Sequence, residues 1–251
     1  MARFVLASGN RHKLGEFAAI LAPHEVVAMP PDVVLPPEGT ESFAANARDK
    51  VRALAAAVAA DPALAARLAD EPRAASAAGG SAGAPTSAAD ASRVADPAGD
   101  LVFIADDSGL EVEALGWAPG VTSARYAGVD GPGADAANVA RLLGELDGFA
   151  GPLARRARFV CALVAVTPRM QEYEATGYWW GAIAEAPRGE GGFGYDPVFV
   201  PEGSDLTVAQ WPQEQKDQAS HRALAGTALL ERLHQEGLLD EPDRERRPHA
   251  G

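Results

Sequence analysis

Two adjacent carboxylates, Asp106 and Asp107, follow the apolar run Leu101-Val102-Phe103-Ile104 within Ala105-Asp106-Asp107-Ser108-Gly109-Leu110. A short β-branched and aromatic run closed by Gly predicts a buried strand entering a tight turn, with the pair at the strand's C-terminal edge. Open α/β sheets bind ligands at that edge. Neighbouring carboxylates repel unless a cation lies between them or one is protonated, so hard oxygen ligands for Mg²⁺ are one reading. An acidic turn, with either Asp accepting backbone N–H bonds and Ser108-Gly109 making the bend, is the other. Candidate anion-binding groups lie apart from the pair. Ser8-Gly9-Asn10 stands between an apolar run and a helical pattern carrying Lys13, which gives a Gly turn and a helix N-terminus suited to phosphate. An ordinary capped helix with a solvated lysine fits the same residues. Asn46 and Lys50 fall one helical turn apart, where a solvated lysine is again the plain alternative. Gly191-Gly192-Phe193-Gly194-Tyr195-Asp196-Pro197 is a glycine-dense loop presenting an aromatic beside a carboxylate.

The elements that must position these groups are legible as periodicities. Residues 4–7 predict a first strand, and Leu14, Phe17, Ala18 and Leu21 fall at helical spacing behind Asn10 as N-cap. Residues 25–28 predict a second strand, and Pro30, Pro31, Pro36 and Pro37 then keep the chain extended up to Glu38. Ser42 caps a helix from 43 towards 60, which residues up to 68 could prolong. Residues 61–99 are rich in Ala, Gly, Ser, Pro and Asp, with no aromatic. The stretch 74–92 is too poor in apolar surface to repay ordering, which predicts a mobile insertion without chemistry. Residues 111–115 alternate like a half-exposed strand, 117–128 form a loop containing Ser123-Ala124-Arg125-Tyr126, and 134–146 are helical. Residues 158–167 predict a central strand, and 172–185 one or two more, with Tyr178, Trp179 and Trp180 in core or interface. A short strand at 198–200 and a helix at 220–236 follow, and the charged tail at 241–251 should fray. The expectation is a single domain over 1–240.

Composition bounds the function. The chain has 251 residues, 47% apolar, with a net charge of -13. Such a charge argues against a general nucleic-acid or anionic-membrane surface, so a polyanionic substrate would need a few local cations or a metal. The single cysteine, Cys161, excludes an intramolecular disulfide and lies in an apolar run, where a buried inert thiol is expected. No signal-peptide layout and no apolar stretch near the ~20 residues of a membrane span are present, which predicts a cytoplasmic protein.

Taken in order, Ser8-Gly9-Asn10 with Lys13, the Phe43/Asn46/Lys50 helix, Ala105 to Leu110, Ser123-Ala124-Arg125-Tyr126-Ala127-Gly128, Gly192 to Pro197, and Lys216 with Ser220-His221-Arg222 resemble the inosine triphosphate pyrophosphatase family. The resemblance implies a mixed α/β fold, with a long central sheet and flanking helices forming two lobes around a cleft. It also implies a homodimer, and Mg²⁺-dependent cleavage of non-canonical purine nucleoside triphosphates between the α and β phosphates. By motif, Ser8, Gly9, Asn10, Lys13 and Lys50 would take the phosphates. Glu38 and Asp107 would bind the metal, Asp107 would accept the proton with Asp106 in support, and Ser108 would touch substrate. Phe193, Gly194, Tyr195, Asp196, Lys216, His221 and Arg222 would enclose the base, where hydrogen-bond donors suit a 6-keto purine and reject adenine. Ala45 stands where the family commonly has Glu, which predicts a local loss of polarity. A Maf-like pyrophosphatase acting on other nucleotides, and a non-catalytic nucleotide-binding protein, are the alternatives.

Overall fold

The run Phe4-Val5-Leu6 is fully buried in β1 (Arg3–Leu6), which leads into α1 (Arg11–Ile20) and returns as β2 (Glu25–Ala28), parallel to β1. The computed structural model describes residues 2–70 and 101–239, so the expected mobile stretch at 74–92 and frayed tail at 241–251 lie outside it. Ser42 caps α2 (Phe43–Ala60) by accepting from the Ala45 N–H. On α2 a stripe of Ala47, Val51, Leu54, Ala55 and Val58 faces the sheet, each large side chain contributing about 1.5–3 kcal/mol of burial. Asn46 and Lys50 continue that stripe at its N-terminal end, so the helix carries two polar groups into the edge of the core.

Residues beyond 60 do not prolong α2. Pro62 has no N–H to continue it and instead starts α3 (Pro62–Asp70), with Asp61 Oδ1 accepting from the N–H groups of Ala63 and Leu64. Leu64, Ala65 and Leu68 dock into the core, and Arg3 Nη1 binds the carbonyls of Leu68 and Ala69, so the first part of the Ala-rich stretch is structured.

After the undescribed segment come β3 (Leu101–Val112), α4 (Ala134–Glu145), β4 (Arg156–Val166), β5 (Glu172–Ile183), β6 (Phe199–Pro201), α5 (Gln213–Ala219) and α6 (His221–Gln235). Residues 172–183 form one strand. Among the described residues the six strands make one sheet in the order β2-β1-β3-β4-β5-β6, parallel across β2, β1 and β3 and antiparallel from β3 onwards. The mixed α/β fold with flanking helices is thus as expected. Helices α2 and α3 cover one face, α1 and α6 the other, and a further apolar cluster joins α4 to the far ends of β4, β5 and β6. Cys161 lies in the core of β4, where burial pushes its thiol up to about 12.

Helix α6 lies so close to β5 that a Cβ on Gly177 would fall on the His221 carbonyl oxygen and stand 2.6 Å from the Ala225 nitrogen. Backbone atoms cannot yield as a side chain does. Gly177→Ala is expected to destabilise at the upper end of the ~1–3 kcal/mol typical of overpacking, read as a lower urea midpoint.

Candidate active site

Strand β3 overturns the expected turn. It runs unbroken through Ser108 and Gly109 to Val112, because β4 pairs with it from Phe103↔Val166 to Val112↔Ala157. What ends is its other neighbour, β1, whose register stops at Leu6↔Ile104. Asp106 and Asp107 therefore sit just past the C-terminal end of β1, in mid-strand on β3. Residues 111–112 complete that strand, and 113–115 form a 3-10 turn. Successive strand residues point to opposite faces, so the carboxylates do not repel across a shared site, and each has its own cations.

Asp107 faces α2. Its Oδ2 accepts from Asn46 Nδ2 at 2.8 Å, and its Oδ1 lies 3.5 Å from Lys50 Nζ. Lys50 also pairs closely with Glu38 Oε1, and Arg125 holds Glu38 Oε2 at 3.3 Å and the Gly39 carbonyl at 3.0 Å. Arg125 thus braces the Glu38 loop here. Asn46 Oδ1 accepts from the Gly39 N–H at 2.8 Å, tying the same loop to Asp107. Burial pushes the Asp107 carboxyl above its ordinary value, against the pull of Lys50 and Asn46. Burial acts on Glu38 in the same direction, but Lys50 outweighs it and holds Glu38 below the usual range. Lys50 is raised: burial works against its ammonium, and Asp107 and Glu38 outweigh it.

Asp106 faces α1 and α6. Lys13 Nζ reaches its two oxygens at 3.0 and 2.9 Å, Arg222 Nε lies 3.4 Å away, and the Ser108 hydroxyl donates at 2.8 Å. Burial alone would raise this carboxyl; Lys13 and Arg222 overcome it and hold it far below the usual carboxylate range. Behind it lies a chain of ion pairs: Glu16 binds Arg222 Nη1 at 2.8 Å and Lys216 Nζ at 2.9 Å, and Asp196 Oδ2 binds Lys216 Nζ at 2.7 Å and the Phe193 N–H at 2.9 Å. Glu16, Lys216, Arg222, Asp196 and Asp106 are all buried. The Cβ of any other residue at Gly192 would meet the Asp196 carboxylate, so Gly there is a steric requirement.

A cleft of about 350 Å³ connects the two faces, within the usual span of small-molecule sites. Of the residues singled out in the sequence, Asn10, Lys13, Glu38, Asp107, Ser108, Phe193, Gly194, Tyr195, Asp196, His221 and Arg222 line it. Ser8, Gly9, Asp106, Lys50 and Lys216 are not among its lining residues; Ser8 Oγ accepts from the Asn10 N–H, and Lys216 lies buried behind Phe193, 4.5 Å from its ring centre. The α1 N-terminus is already capped, since Asn10 Oδ1 accepts from the N–H groups of His12 and Lys13. Sequence reasoning missed His12, Ser123, Asp135, Asn138 and Phe159 in the lining. Ser123 carries a signal, being the Ser of the Ser-Ala-Arg-Tyr segment: its Oγ accepts from the Leu110 N–H, and its carbonyl accepts from Tyr195 Oη.

His221 also lines the cleft. Its ring stacks on Phe159 with centroids 4.8 Å apart, and among the described residues its buried Nδ1 has no partner. Burial, with the charges of Arg222 and Lys216, pushes its pKa well below the ordinary value. The imidazole is therefore neutral near pH 7. A histidine depressed in the folded state stabilises fully above its unfolded pKa of ~6.5 and loses that stability as pH falls below it. Wild-type Tm is expected to fall more steeply than that of His221→Gln between pH 7 and 5.

Two carboxylates, Glu38 and Asp107, converge on the single ammonium of Lys50, so their oxygens are arranged around a point of positive charge. Among the described residues no cluster of three His, Cys, Asp or Glu could hold a metal. One or two carboxylates, completed by waters and phosphate oxygens, is the usual protein contribution to Mg²⁺, and the donor set fits that ion. Among the described residues no helix is long and apolar enough to cross a membrane.

Fold and site together define a mixed α/β protein with a cleft lined by carboxylates, Lys13, aromatic rings and hydrogen-bond donors. The model of the Ham1 family matches residues 4–77 and 82–232, and the chain belongs to that family. It is 41% identical over 239 residues to a dITP/XTP pyrophosphatase from Ralstonia nicotianae, covering 93% of this chain and 97% of the relative. A dITP/XTP pyrophosphatase from Methylacidiphilum infernorum is 37% identical over 227 residues, covering 90% and 91%. The solved Ham1 protein of Staphylococcus aureus superimposes with a TM-score of 0.67 at 33% identity, over 93% of this chain and 99% of that one.

Proposed function

We propose that the protein hydrolyses inosine, deoxyinosine and xanthosine triphosphates to the monophosphate and pyrophosphate, with Mg²⁺. The observation that carries the base assignment is Arg222, which lines the cleft with His221 and has Nε and Nη1 on Asp106 and Glu16, leaving Nη2 to donate. A 6-keto oxygen accepts from that donor, whereas the amino group of adenine sets donor against donor.

Water attacks the α-phosphorus, the bond from that phosphorus to the α,β-bridging oxygen breaks, and pyrophosphate leaves. Glu38 and Asp107 would hold Mg²⁺, which when bound offsets phosphate charge. Asp107 Oδ2 accepts from Asn46 and Oδ1 lies 3.5 Å from Lys50 Nζ, so Asp107 would take the proton of the attacking water through the oxygen it does not give to the metal. Asp106 is the poorer candidate for base, because its oxygens are spent on Lys13, Arg222 and Ser108. Lys13 and Lys50 offset the charge of the phosphates. The homodimer belongs to this reading: Trp117 and Tyr178 stand exposed around Arg158, whose guanidinium lies 4.6 and 4.5 Å from their rings, and such a face suits a partner surface.

Pyrophosphate release should require Mg²⁺ and favour inosine and xanthosine over adenosine triphosphate by about 10²-fold or more. Equal turnover of all three would overturn the base assignment, and turnover confined to modified pyrimidine nucleotides would favour the Maf-like alternative. Binding without turnover would favour a non-catalytic protein.

A further inference from the structure

The tip of the Gly-rich loop is held by two residues that the proposed reaction leaves without a role. The Phe193 ring stacks on His12, with centroids 5.5 Å apart and planes at 28°. The next residue, Gly194, donates its N–H to Asp135 Oδ2 at 2.8 Å. His12 lies in the first turn of α1 and Asp135 in the first turn of α4, so the tip is pinned between elements that both line the cleft. Gly192 and Gly194, at φ 72° and 61°, bracket Phe193 with backbone conformations that other residues rarely adopt.

The remaining contacts of the ring are not exchangeable. Lys216 Nζ and the Arg222 guanidinium lie 4.5 and 5.3 Å from its centre, and both are fixed in buried ion pairs with Glu16. His12 is exposed, with its ring stacked on Phe193. An incoming aromatic can therefore gain the Phe193 ring most easily by displacing the imidazole.

We propose that His12 is a stand-in for the purine: in the free protein it occupies the stacking place on Phe193 that the base takes, while Asp135 holds the loop tip in position. The inference rests on the reading of the cleft as a purine nucleotide site. It makes His12 a positioning residue that competes with substrate, and not a wall that embraces it. Removing the competitor strengthens nucleotide binding, and a better stacker weakens it.

The test compares wild type, His12→Ala and His12→Tyr for binding of inosine triphosphate by calorimetry without Mg²⁺, with inorganic tripolyphosphate as a probe lacking the base. His12→Ala should bind inosine triphosphate about 2- to 10-fold more tightly and His12→Tyr correspondingly more weakly, the range of one aromatic pair. Tripolyphosphate affinity should not follow that order. With Mg²⁺ the change should fall in KM and not in kcat. Amide exchange at Gly194 should quicken in Asp135→Ala. Weaker binding by His12→Ala, or equal shifts for both ligands, overturns the proposal. Wild-type protein that binds inosine triphosphate but releases no pyrophosphate defeats the hydrolase reading and leaves His12 to be decided by binding. Failure of wild type to bind inosine triphosphate overturns both.

Discussion

Asp107→Asn is expected to lower pyrophosphate release from inosine triphosphate by about 10²- to 10⁴-fold, the range for losing a positioned general base, without lowering Tm. The fold survives because the amide oxygen of the substituted side chain can still accept from Asn46, and Lys50 keeps Glu38. Stability holds for a second reason. A carboxyl whose pKa is raised by burial favours its neutral form, so a neutral isostere relieves the cost of burying charge. Asp106→Asn should show the opposite pattern. Its carboxylate is favoured by Lys13 and Arg222, so the stability it contributes is present above ~3.9, the unfolded value, and is lost as pH falls below that towards the lower folded value. At pH 7 the amide therefore costs Tm. Activity measured beside Tm for the two variants assigns the roles, and full activity in Asp107→Asn with loss in Asp106→Asn would reverse them.

How much of this was legible depended on whether the controlling interaction was local. Asn10 and Ser42 are caps because their side chains meet N–H groups two or three residues on, and α2 runs from 43 to 60 as its spacing predicts. The length of β3 was not legible. Ser108-Gly109 reads as a turn until β4 supplies a partner along 103–112 and Ser123 Oγ meets the Leu110 N–H. Gly109 serves close approach, since a Cβ there would stand 2.5 Å from Ser123 Oγ and 2.6 Å from the Gly120 carbonyl. The site was legible where a motif held its own residues together, as with Asn46 and Lys50 one turn apart. His12 and Asp135 went unread because each acts through the loop at 193–194, far away in sequence. Lys216, which the resemblance places at the base, is held in its place beside Phe193 by Glu16 and Asp196, and those partners are far away in sequence.

Glu16, a buried residue of α1, carries the second large effect. Its two oxygens bind Lys216 and Arg222, more than two hundred residues away in sequence for the guanidinium, and all three side chains are at most 5% exposed. Glu16→Ala leaves two buried cations short of a partner, and losing one member of a buried pair costs about 3–5 kcal/mol. At ~2–4 °C per kcal/mol for a chain of this size, Tm should fall by roughly 6–20 °C. The loss should come mostly from the stranded cations. Adding Arg222→Met to Glu16→Ala removes one of them while Asp106 keeps Lys13 and Ser108, and should recover part of the fall, whereas two independent surface changes would add. A Glu16→Ala variant with unchanged Tm would show that water or Asp106 and Asp196 suffice to hold the cations. The expected result instead makes Glu16 the link that lets Arg222 serve two ends at once, bracing Asp106 on β3 through Nε while its guanidinium remains in the cleft beside His221.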